Sequence, residues 1–96
     1  MTLDEQDRIV GRLRRERATA RRELAKLRDK IIAEAESLEK TGRLLADASR
    51  GDAHQARLTW LRLTLPDLGE MGGWFDVLEI AGERLADLEA RLAEFD

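Results

Sequence analysis

The chain has 96 residues, 39% of them charged and 4% aromatic, with a formal net charge of −3, one histidine and no cysteine. This composition excludes disulfides, thiol nucleophiles and thiolate or multi-histidine metal sites, and it allows one domain with a small core. No apolar run approaches the roughly 20 residues of a membrane span and the start is too polar for a signal peptide, so a cytoplasmic protein without membrane contact or cofactor is expected.

The first element announces itself by periodicity. Leu3, Val10, Arg17, Leu24, Ile31, Leu38 and Leu45 fall seven residues apart, and Leu13, Ala20, Leu27, Glu34, Thr41 and Ala48 sit midway between them. A sustained heptad with apolar first and fourth positions keeps one seam of a helix against a partner helix. The spacing predicts a helix over about 3–49. Thr2 and Glu5 have capping-box spacing at its start, and Asp4 and Glu5 suit the positive end of the helix dipole. Glu36 with Lys40 and Glu39 with Arg43 are favourable pairs four apart. Gly51 is the expected stop, in the left-handed cap conformation. Arg17 within the seam reads as a register-setting or snorkelling side chain.

Flanking positions change along this helix. The site after the fourth repeat position is Arg14, Arg21 and Arg28 in the first half, then Ala35, Gly42 and Ser49, with Ile32 and Ala46 beside them. The apolar arc therefore widens toward Gly51. A wide arc covers two partner helices, so the Gly51 end is expected to be the thicker one.

Asp52 offers a new N-cap with Gln55 three residues later, predicting a second helix over about 53–65 that carries Trp60 and ends at Pro66. His54 in its first turn reads as a solvated residue. Residues 66–73 hold the one proline and three glycines and read as a break. Trp74, Leu78, Ala81, Leu85, Leu88, Leu92 and Phe95 then step by four and three, predicting a third helix over about 74–95. The expected fold is all-α, a single domain over 1–96: one long helix and two shorter ones in an elongated helical hairpin or coiled coil, dimerising into a bundle. Its seam comprises Leu3, Val10, Leu13, Leu24, Leu27, Ile31, Leu38, Leu45, Leu78, Leu85, Leu88 and Leu92.

Charge is split along the chain. Arginine and lysine dominate residues 8–30, while acidic residues dominate 67–96. An antiparallel hairpin centred on Gly51 would pair Arg14 with Glu89, Glu16 with Arg84 and Lys30 with Glu70. A parallel dimer competes, because Glu16 with Arg21, Glu23 with Arg28, Arg84 with Glu89 and Arg91 with Asp96 have the five-residue spacing that links neighbouring chains.

Two surfaces are candidates for partner binding. One is the break with its aromatic neighbours, Trp60, Met71, Trp74 and Phe75, since large rings beside glycines suit an interface hot spot. The other is the outward stripe of Arg8, Arg15 and Arg22, which could follow phosphates but lacks interleaved aromatics. No nucleophile–base pairing, phosphate loop or metal spacing occurs. The expected function is a non-enzymatic protein–protein interaction module, such as an adaptor, assembly factor, regulator or inhibitor, forming a homodimer and binding a protein partner. The alternative is a nucleic-acid-associated accessory protein that uses the arginine face.

Overall fold

A computed structural model describes residues 2–95 and contains three helices, α1 (Leu3–Ser49), α2 (Ala53–Arg62) and α3 (Leu68–Ala93). The fold is all-α and very elongated, with extents of 76 × 18 × 15 Å. α1 alone, at 47 residues and about 1.5 Å per residue, spans nearly that length. α2 and α3 both pack on α1 but not on each other, so they lie one after the other along it.

The capping box at the start of α1 forms in both directions. The Glu5 backbone N–H donates to the Thr2 hydroxyl oxygen at 3.2 Å, and the Thr2 N–H donates to the Glu5 carboxylate at 3.3 Å. Glu39 and Arg43 form an ion pair. Glu36 and Lys40 do not, among the described residues.

The end of α1 differs from expectation. Gly51 is not left-handed, and no described glycine has positive φ. Instead Arg50 stays in the right-handed region and the Gly51 N–H donates to the Ala48 carbonyl at 3.2 Å, three residues back. Tightening the last turn satisfies the orphan carbonyls without the left-handed cap. Asp52 caps α2 as expected, but its carboxylate accepts from the His54 N–H two residues on, not through a box with Gln55.

Two boundaries also move. α2 ends at Arg62, not at 65, and Leu63 is already extended. α3 begins at Leu68, six residues before the expected start, because Asp67 is an N-cap whose carboxylate accepts from the Glu70 N–H at 3.1 Å. The cap and the burial of Met71 and Trp74 against α1 together outweigh the three glycines, each of which costs a helix about 1 kcal/mol. Gly69, Gly72 and Gly73 are therefore helical residues, and the expected break at 66–73 shrinks to a short extended connection over 63–67.

α3 returns antiparallel to α1. Leu13 and Ala20 of α1 form one buried cluster with Leu88 and Leu92 of α3, and Ile9, Val10, Leu85 and Phe95 pack around it. Leu24 and Met71 are also buried. The remaining seam residues Leu27, Ile31, Leu38, Leu45 and Leu78 are half-buried, as is Arg17. The heptad positions thus face inward along most of α1. Leu3 is the exception at 79% exposed, because the hairpin register places its opposite number past the end of α3.

That register is itself shifted. The expected partner of Glu89 was Arg14, whereas Arg21 meets it, with Nη2 2.9 Å from the Glu89 carboxylate. Glu16 lies 4.0 Å from Arg12 on its own helix, not against Arg84, and Lys30 sits over Trp74. The contacts are offset from the expected register by about two helical turns at Glu89 and one at Lys30. Arg91 pairs with Asp87, and Asp96 lies outside the described residues. Exchanging the charges of Arg21 and Glu89 tests this register. Arg21→Glu and Glu89→Arg should each cost under about 1 kcal/mol, with the double exchange recovering most of the loss in urea titrations.

The Gly51 end is not thicker. Among the described residues α2 is the only helix beside α1 there, so the wide arc of α1 has one partner where two were expected. Ile32 and Leu44 remain about half exposed as a result.

Candidate interaction surfaces

The sequence candidates separate into different environments. Met71 is buried and contributes to the packing between α1 and α3, which removes it from any partner surface. Trp74 is half-buried, and the Lys30 ammonium lies 4.3 Å from its ring centroid. A cation over an indole face is attractive, and here it joins the two helices. Trp60 and Phe75 are exposed at 55% and 52%. The supposed elbow is therefore no flexible loop. It is the first turns of α3, held by the Asp67 cap, with Met71 and Trp74 directed to α1 and Phe75 to solvent.

Between α1 and the 63–67 connection lies an open recess of about 520 Å³, whose lining includes Lys30, Glu34, Pro66, Glu70 and Trp74. Its lining combines the Lys30 ammonium over the Trp74 ring with the carboxylates of Glu34, Asp67 and Glu70. Among the described residues no three His, Cys, Asp or Glu side chains come together as metal ligands would. The recess has no serine–histidine or cysteine–histidine pair, because His54 sits in the first turn of α2 and the chain has no cysteine.

Arg8, Arg15 and Arg22 lie exposed along α1, seven residues apart. None of them forms an ion pair among the described residues, although the Arg22 guanidinium donates to the Thr19 hydroxyl at 3.4 Å. The acidic residues of α3 do not neutralise this stripe. Among the described residues only Arg21, on the flank of α1, forms an ion pair with an acidic residue of α3.

Around Phe75 the structure exposes further apolar residues that sequence reasoning missed. Leu61, Leu65, Leu68, Phe75, Val77 and Ile80 are all at least half exposed. Residues 68–82 carry only Glu70, Asp76 and Glu79 as charges, so this stretch is apolar almost all round yet packs on a single helix. A helix apolar on every face is normally covered on more than one side. The signal was present in the near absence of charge over 68–82, but reading 66–73 as a loop hid it.

No protein-family model, curated protein or solved structure matches this chain. The residues themselves carry the functional argument. Among the described residues no helix is long and apolar enough to cross a membrane.

Proposed function

We propose that this chain is a non-enzymatic protein–protein interaction module of the cytoplasm, an adaptor, assembly factor, regulator or inhibitor, that works through coiled-coil faces and self-associates as a homodimer. The observation that carries the reading is the row of large apolar side chains left in solvent on a rod only two helices thick. Exposed apolar patches of this kind on a charged protein mark sites of macromolecular association. Two-helix rods bury little surface per residue, and a second copy supplies what one chain lacks. Light scattering at tens of micromolar should report twice the monomer mass, and a monomer there would end the homodimer part of the reading. A protein partner should then be recovered with the wild-type chain but not with one bearing Trp60→Ala and Phe75→Ala.

The exposed arginine stripe supports a second reading, a nucleic-acid-associated accessory role. Phosphate contacts release counterions, so binding to a labelled duplex should weaken steeply with salt. Retention that ignores salt would remove this alternative.

A further inference from the structure

One side of the hairpin can be traced by steps of seven from the Arg21–Glu89 ion pair. On α1 the same side continues through Arg28, Ala35 and Gly42, and on α3 it continues back through Gly82, Phe75 and Leu68. Ile32 lies beside Ala35, and Gly72 lies between Leu68 and Phe75. This side therefore changes character along the rod. It is charged where Arg14, Arg21 and Glu89 stand, and apolar or small where Ile32, Ala35, Gly42, Leu68, Gly72 and Phe75 stand. Ile32, Leu68 and Phe75 are 53%, 65% and 52% exposed. A Cβ at Gly42, Gly72 or Gly82 would meet nothing within 4 Å. The chain's own packing requires none of these glycines, although each weakens its helix.

We propose that this side is the contact surface for a second copy of the chain, docked antiparallel about a two-fold axis near residues 33 and 34 of α1. The inference rests on the self-association proposed above and assigns its face and direction. Reversing one copy about that axis sets Ile32 opposite Ala35 and Ala25 opposite Gly42, each a larger side chain against a smaller one. It sets Arg28 opposite Glu39, an attraction that occurs twice by symmetry, as a self-complementary interface requires. Glu39 already holds Arg43 of its own helix, so in the pair its carboxylate lies between two guanidinium groups. Phe75 and Leu68 stand at the same level on α3, because Lys30 meets Trp74 there. Glycine at 42 and 72 lets the facing backbones approach closely.

The area fits a second copy. A compact folded chain of 10.9 kDa exposes about 5,600 Å², whereas this one exposes 7568 Å². The excess, roughly 2,000 Å² per copy, is more than the ~800 Å² per partner of a standard interface. The charge fits an antiparallel arrangement. A parallel pair would bring the arginines of residues 8–30 of both copies together, while the reversed pair sends them to opposite ends.

The chain has no cysteine, so single cysteines report proximity cleanly. An equimolar mixture of Ile32→Cys and Ala35→Cys chains should yield an oxidised covalent dimer within minutes, and Val77→Cys, on the opposite side of α3, should not. Scattering should give a particle roughly 90–100 Å long from the overlap of two helices at 1.5 Å per residue, against 76 Å for one rod. Ile32→Lys, at an exposed position, should keep its helicity and weaken dimerisation at least tenfold. Arg28→Glu and Glu39→Arg should each weaken it, and the double exchange should restore it. A wild-type monomer would overturn both this inference and the self-association it rests on. A dimer that ignores Ile32→Lys, or that crosslinks through Val77→Cys instead of between Ile32→Cys and Ala35→Cys chains, would overturn this inference alone.

Discussion

Leu88→Ala is expected to remove about 3 kcal/mol of stability, the largest effect of any single truncation here. Leu88 is 3% exposed and shares its cluster with Leu13, Ala20 and Leu92. Truncation deletes three carbons and leaves a cavity between two helices that Arg21 and Glu89 hold only weakly from the exposed edge. A two-helix rod has no third layer to move into that cavity. For a domain near 100 residues, 3 kcal/mol corresponds to a fall in melting temperature of more than about 10 °C. Circular dichroism melts at fixed protein concentration measure it, since association adds its own stability. A fall of under about 1 kcal/mol would mean that the cluster is not the main contact between α1 and α3.

The second large effect separates the two tryptophans. Trp74→Ala should cost about 2 kcal/mol, less than a fully buried tryptophan because the ring is half-exposed. It removes packing between α1 and α3 together with the Lys30 contact at 4.3 Å. Trp60→Ala should change stability by less than about 0.5 kcal/mol, since its ring stands largely in solvent on α2. Urea titrations of the two variants give the comparison directly. Equal losses would mean that Trp60 is covered in solution, and the effect of protein concentration would then show whether a second copy covers it. The contrast also divides the aromatic cluster of the sequence into a packing member, Trp74, and surface members, Trp60 and Phe75.

What could be read from the residues alone was the existence of the helices and the inward face of α1. Local chemistry decides both. The heptad of Leu13, Ala20 and Leu24 fixes which stripe is apolar, and Thr2 with Glu5 caps the chain where its helix starts. Asp52 capped α2 for the same reason, because an N-cap needs only a side-chain oxygen and backbone donors two or three residues away. Asp67 was legible by the same rule. Three glycines after Pro66 suggested a loop, yet one cap and the burial of Met71 and Trp74 against α1 carry the helix through them.

Only the tertiary structure decided the rest. The offset that brings Arg21 to Glu89 depends on how far residues 63–67 travel along α1, and no periodic pattern encodes the path of an extended connection. The widening arc of α1 from Ile32 to Ala46 suggested a second partner helix that the fold does not place there, because a pattern states how much apolar surface a helix has and not what covers it. α2 and α3 follow one another along α1 instead of flanking it, so among the described residues one helix lies beside that arc. The exposure of Ile32, Leu68 and Phe75 follows from that topology, since the same residues in a three-helix bundle would be its core.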